Sequence, residues 1–341
     1  MNTAVYVTLC VIWSSTWLAI TVVIRDVPPV SGAAARFWLA AAIYLSFHAV
    51  RRLSFPADLR SRLGMIALGI PQITVSYSFV YWGEQYISSG MTALLFATFP
   101  LWVAVFSARW VVGEPWTLYK FIGLVCGIVG VAVVSLKPAE SAITTDGVTS
   151  TSLPMLATLG VLFGAFVCGL SIVWIKRLYG GQNAVALTAS QMLGGALGLT
   201  AAAFMLEEPM AIEWTRRAVI ATVYLAVFGS ALAFFGYYWL LQRVEGTLVA
   251  TINFVTPVLT IFFGWLVLGE PLSANLFVGG ALVLAGVWSV VGSAKRSRRL
   301  LASRPPVISQ PSPALDPTSF GTTIAPTSHT PPAPKDKGVR T

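Results

Sequence analysis

The chain has 341 residues, of which 56% are hydrophobic and 10% charged, with a formal net charge of +9. Ordinary soluble domains carry roughly 25% charged residues, so this composition excludes a single water-coated globule. Lys and Arg gather at the edges of apolar runs and in the terminal tail, not on amphipathic faces, which argues against nucleic acid and for the lipid bilayer as partner.

An apolar run of about 18 or more residues is long enough to cross a hydrocarbon layer as a helix. Ten such spans are predicted in chain order, at about 4–24, 31–50, 63–83, 90–108, 118–136, 153–174, 185–206, 218–241, 247–268 and 273–293. The first run lacks a basic leader and a small-residue cleavage signal, so it reads as a retained span. Cys10, Cys126 and Cys168 all fall inside spans without metal-ligand or CxxC spacing; they read as small buried apolar residues, and no metal or cofactor is expected.

With the N-terminus in the cytoplasm, Arg51, Arg52, Arg60, Arg62, Arg109, Lys120, Lys176, Arg177, Arg243 and the KRSRR run after the last span fall inside. Arg25, Lys137, Arg216 and Arg217 are left outside. This asymmetry satisfies the positive-inside rule, with the Arg216–Arg217 pair dissenting, and puts both termini in the cytoplasm. Residues 300–341 are rich in Pro, Ser and Thr and are predicted to form a disordered tail.

The chain repeats itself. YWGEQYISSGMTALLFATFP (81–100) aligns with YWLLQRVEGTLVATINFVTP (238–257), and WVVGEPW (110–116) returns as VLGEP (267–271). Gly123 and Gly130 fall over Gly279 and Gly286. More weakly, WSSTWLAI (13–20) lies over CGLSIVWI (168–175), and AARF (34–37) over ASQM (189–192). The fold class is therefore an all-α integral membrane protein of ten helices, with one five-helix unit over 4–137 and a second over 153–293. An odd number of spans per unit makes the two inverted, an architecture recurrent in secondary transporters. Each Gly-Glu-Pro reads as a tight hairpin, with Gly ending one helix, Pro starting the next and Glu in water.

The duplicated five-span unit, the WSSTWLAI opening, the ARF of the second span, the Pro of the fourth and ninth spans and the paired Gly-Glu-Pro loops together resemble the EamA-type transporters of the drug/metabolite transporter superfamily. The resemblance covers about residues 4–293. It implies a bacterial inner-membrane permease, often an exporter of amino acids or other small metabolites. The family's usual opening is closer to WGSNF than to the WSSTW found here.

Polar side chains within a membrane are costly, so they nominate a route. Arg36 lies in the second span, where a central Arg costs about 2.5–3.5 kcal/mol on insertion scales. Snorkelling to the interface is its alternative reading; Gln191 is its repeat mate. Asn253 and Thr256 precede Pro257 in the ninth span, while Thr98 and Pro100 hold the matching place in the fourth. A proline inside a helix frees a carbonyl for a solute or water. Trp13, Trp17, Tyr77, Tyr81, Tyr237 and Trp239 supply aromatic bodies with polar edges, although interfacial belts also use such residues. Glu84 and His48 are assigned to span ends as structural groups, which leaves no acid at mid-span for a proton relay. Gly123, Gly127 and Gly130 of the fifth span and Gly279, Gly280 and Gly286 of the tenth are expected to serve close helix packing.

An intramembrane enzyme is the rival from another class, since GLS at 169–171 superficially suggests a nucleophile. Only His48 and His329 are available as imidazole bases, and no HExxH, paired carboxylates or phosphate-cradling loop accompanies them. A nucleotide-sugar carrier is the rival within the superfamily. Diphosphate recognition favours several buried cations, whereas Arg36 stands alone, which favours a neutral, zwitterionic or apolar small-molecule cargo. The oligomeric state stays open.

Overall fold

The computed structural model describes residues 2–52, 56, 58–110, 116–135, 152–179, 181–208, 212–241, 243, 249 and 252–302. The first Gly-Glu-Pro, Lys137 and the tail from 303 onward lie outside the described residues. The described residues form helices and connections, with no strand among them. The helices are α1 (Asn2–Ile24), α2 (Pro29–Val50), α3 (Leu59–Gly83), α4 (Ser89–Trp110), α5 (Leu118–Ser135), α6 (Ser152–Tyr179), α7 (Ala184–Leu206), α8 (216–241), α9 (Ile252–Leu268) and α10 (Ala274–Ala302). Seven are long and apolar enough to cross a membrane, and α5, α9 and α10 contribute shorter apolar stretches. All ten predicted spans are present.

Polar residues at the breaks start the helices. Asp58 accepts from the Ser61 amide at 2.8 Å, Ser88 from Met91 at 3.2 Å, Asn183 from Val185 at 2.9 Å, and Thr215 from Ala218 at 3.2 Å. Each satisfies an amide that the first helical turn leaves without an internal partner.

Prolines are absorbed differently than expected. Pro71, inside α3, coincides with a π-helical segment, Ile70–Val75. The corresponding helix of the second half, α8, carries a π segment at Leu225–Leu232 with no proline in it. A wider turn of this kind shifts the register of the side chains beyond it and is frequent at functional sites. In α4 the helix breaks into a turn at Ala97–Thr98, just before Phe99 and Pro100. In α9, by contrast, the α-helix continues through Pro257.

The packing between the first five helices and the last five comes in matched pairs. α3 packs on α7 as α8 does on α2, α3 on α6 as α8 does on α1, and α4 on α6 as α9 does on α1. The pairs α2–α7 and α4–α9 are their own counterparts. So is α5–α10, where glycines let the backbones nearly touch. A Cβ at Gly123 would stand 2.5 Å from the Gly286 carbonyl, and one at Gly130 would stand 2.6 Å from that of Gly279. Small residues at helix crossings are the means by which apolar helices pack tightly in lipid.

Candidate functional site

One end of the bundle joins α1 to α2, α3 to α4, α7 to α8 and α9 to α10. Three carboxylates tie the two halves together there. Glu207, just past α7, accepts from the Val30 amide at 2.6 Å and from the Ser31 amide and hydroxyl at 2.8 and 2.7 Å, so it caps the N-terminus of α2. Glu270, just past α9, accepts from the Ser89 and Gly90 amides at 2.8 and 3.3 Å and caps α4. Asp26 returns the arrangement from the first half, accepting from Thr215 and pairing with Arg217 at the start of α8. The Arg217 guanidinium, aided by the Thr215 hydroxyl, holds the Asp26 carboxyl down at about 2. A negative group at a helix N-terminus meets free amides and the positive end of the helix dipole.

This placement corrects the hairpin reading of the second Gly-Glu-Pro. Gly269 does end α9, with a left-handed φ of +69°. Glu270, however, reaches across to another helix instead of into water. Pro271 does not open α10 either, because residues 271–273 lie outside any helix and α10 begins at Ala274, with the Ser273 hydroxyl accepting from the Leu276 amide at 3.2 Å.

Below this rim lies the polar interior. Arg36 is 4% exposed, so it does not snorkel. Its Nε donates to Ser230 Oγ at 3.2 Å, inside the π segment of α8. The guanidinium lies 5.2 Å from the Phe37 ring centroid and 5.3 Å from that of Tyr77, which follows the π segment of α3. The π segment of α8 and the turn after that of α3 thus both contribute to the surroundings of this one cation. Its Nη1 is buried without a hydrogen-bond partner. The aromatic wall continues from Tyr77 to Phe96 at 6.3 Å and from Phe96 to Trp17 at 5.8 Å. Tyr81, fully buried, adjoins the guanidinium.

The structure thus brings Trp17, Arg36, Tyr77 and Tyr81 together. Trp13 and Tyr237 meet each other at 5.5 Å in a second apolar cluster, between α1, α8 and α9. Trp239 belongs to that cluster and carries the Arg243 guanidinium 4.1 Å from its ring centroid, an interfacial placement. Gln191 is buried between α7 and α3 with its Nε2 unpartnered. The hydroxyls of Thr98 and Thr256 turn back to the Leu95 and Ile252 carbonyls of their own helices. Asn253 is half-buried, and Pro257 is buried in α9.

Sequence reasoning passed over Ser230, Thr21 and Phe96; Glu84, assigned to the outer end of the third span, does follow directly on Gly83. Glu84 is 2% exposed. Its Oε2 accepts from Thr21 at 2.9 Å, and its Oε1 has no partner. The apolar α3 reaches Gly83, and the turn that follows folds back under α1, so the residue after the span is still inside the protein. The signal available was Thr21, a hydroxyl in an otherwise apolar stretch of α1. His48, likewise placed at a span end, is buried at 7%.

The sequence profile of the EamA-like transporter family matches the chain twice, over residues 4–136 and 155–292. A Bacillus subtilis protein named uncharacterized transporter YoaV is 26% identical over 286 residues, covering 83% of this chain and 94% of that one. The uncharacterized inner membrane transporter YedA of Escherichia coli K12 is 27% identical over 286 residues, covering 83% and 89%. A crystal structure with 19% identity superimposes with a TM-score of 0.60 over 88% of this chain and 98% of its own, a likeness of fold. With both halves matched by the profile, the chain belongs to the EamA-like transporter family.

Proposed function

We propose that the protein is a secondary transporter that exports small metabolites, amino acids or related neutral, zwitterionic or apolar compounds, from a bacterial cell across its inner membrane. In this reading two inverted five-helix halves exchange conformations around a solute at the Arg36 cluster, and both termini are cytoplasmic. The observation that carries it is the buried Arg36 guanidinium, held by Ser230 and two aromatic rings yet left with a free Nη1. A buried polar group without a partner costs about 1–3 kcal/mol, and more when charged, so a solute that satisfies it gains that much in return. The matched contacts between the two sets of five helices support the exchange, because each packing arrangement has a counterpart to swap with.

Counterflow of labelled amino acids and apolar metabolites into liposomes holding the full chain tests the reading. Exchange above empty liposomes for at least one solute is expected, and flat traces across a broad panel would overturn it. The α9 assignment has its own check. In a background without Cys10, Cys126 and Cys168, Asn253→Cys is expected to react with an aqueous thiol reagent, and a transported solute should slow the reaction. A residue that is inert under all conditions would remove Asn253 from the route.

A further inference from the structure

Arg36 brings a charge into the interior that nothing beside it answers. Its Nε is spent on Ser230 Oγ at 3.2 Å. Its Nη2 lies against Gly229, where an added Cβ would stand 3.5 Å from it, and its Nη1 has no partner. Among the described residues no ion pair joins the guanidinium to a carboxylate. A buried charge without a counter-charge is costly, so the position favours a ligand that brings one.

A wall of rings leads away from the same cation. The guanidinium lies 5.3 Å from the Tyr77 ring centroid, Phe96 follows Tyr77 at 6.3 Å, and Trp17 follows Phe96 at 5.8 Å. These rings come from α3, α4 and α1, and successive ones are inclined at 50° and 58°, so the wall is faceted and not flat. They touch one another inside the bundle, yet each is only half-buried. Room is therefore left beside them where the three helices meet. The face of an aromatic ring carries the negative part of its quadrupole and attracts a cation.

The site thus sets a cation that lacks an anion beside rings that attract a cation. We propose that the solute is a betaine, a zwitterion whose carboxylate docks on Arg36 Nη1 and whose quaternary ammonium rests against Tyr77, Phe96 and Trp17. This rests on the transport reading and narrows its cargo within the zwitterionic compounds. A betaine answers the guanidinium and adds no net charge to a low-dielectric interior. A simple cation would meet the rings but be repelled by Arg36, and a simple anion would leave the ring faces without a cation. A primary ammonium fits both charges but carries three N–H donors, and a buried donor without an acceptor is costly. Three methyl groups remove those donors, keep the charge and match the apolar wall.

The test is calorimetric binding to the purified full chain, with probes that separate the two heads. Glycine betaine and γ-butyrobetaine carry both, on a short and a longer spacer. The compound 3,3-dimethylbutyrate keeps the shape and carboxylate of glycine betaine without its positive charge, choline keeps the ammonium without the carboxylate, and glycine keeps both charges without the methyl groups. At least one betaine is expected to bind saturably, with the other three probes each about tenfold weaker or more. Phe96→Leu keeps an apolar contact and loses the ring face. It should shrink the preference for the betaine over 3,3-dimethylbutyrate by roughly two- to thirtyfold. Arg36→Gln should weaken the betaine and spare choline. The proposal is overturned by absence of saturable binding of both betaines, by any of the other three probes matching the better betaine, by an unchanged preference in Phe96→Leu, or by full betaine affinity in Arg36→Gln. Should Phe96→Leu not fold, Trp17→Leu takes its place, and the wild-type series decides without either variant. Betaine binding with no counterflow of any solute, betaines included, would sink the transport reading alone. Counterflow of other solutes without betaine binding would sink this proposal alone.

Discussion

The rim and the interior of this bundle use the same residue chemistry in opposite ways. At the rim, all six oxygens of Asp26, Glu207 and Glu270 accept hydrogen bonds, four of their donors being backbone amides at the starts of α2 and α4. In the buried interior, by contrast, Glu84 uses one oxygen of two, and Arg36 leaves Nη1 without a partner. Satisfied carboxylates that bridge the halves hold a conformation. On the transport reading proposed above, the unsatisfied polar atoms of the interior are where a solute would bind. That reading separates closing the bundle from binding the solute, so each can be disturbed without the other.

The largest effect should come from the interior. Arg36→Gln keeps donors but loses the charge, and a hydrogen bond to a charged group is worth about 1.5–3 kcal/mol. Counterflow at limiting solute is expected to fall by roughly ten- to a hundredfold, with the thermal midpoint of the detergent-purified protein unchanged or raised. A large loss of stability instead would make Arg36 a structural residue. Next in size, Glu207→Ala strands two amides and a hydroxyl at the start of α2 and is expected to cost about 1–2 kcal/mol in thermal unfolding, with solute affinity retained. Glu270→Gln keeps an acceptor and loses only the charge at the α4 terminus, for about 0.3–1 kcal/mol. Equal stability losses at Glu84 and Glu207 would erase the distinction between the two regions.

The smallest effect belongs to Arg217→Ala. Its side chain is 60% exposed, and a surface ion pair contributes little, less still in high salt. Its pH dependence has a definite sign. The Asp26 carboxyl is depressed to about 2 in the folded protein, against about 3.9 for an unperturbed Asp. The stability it contributes is therefore complete above the unfolded value and is lost as pH falls through the folded one. The difference between wild type and Arg217→Ala should stay level from neutral pH down to about 5 and shrink only in stronger acid. A difference that changes around neutral pH would show a second titrating partner.

Much of the architecture was legible because it follows from transfer energetics that each segment carries by itself. Apolar runs marked the helices, with starts read at 63, 90, 185 and 218 against Leu59, Ser89, Ala184 and Arg216 in the structure, and the glycines of the fifth and tenth spans marked close packing. Arg36 was legible as a cost. What pairs with it was not, because Ser230 lies 194 residues away and reaches it through a π segment that no proline announces. The same limit applies to Glu270: read locally it is a polar residue in a turn, and only the fold shows its partners 180 residues earlier. The span-end place of Glu84 was legible but its burial was not, because hydropathy marks where an apolar run ends and not whether the turn beyond it is covered by another helix.

Because Glu207 and Glu270 are received by main-chain amides, these contacts ask nothing of the side chains at 30 and 89, which answer instead to their burial. A single class of substitution breaks the contact from the receiving side. Pro28 precedes α2 and Pro29 opens it, and a third proline at Val30 would delete a donor to Glu207 while preserving a favourable helix start. Val30→Pro is thus a change that local helix preference welcomes and the distant half of the molecule forbids.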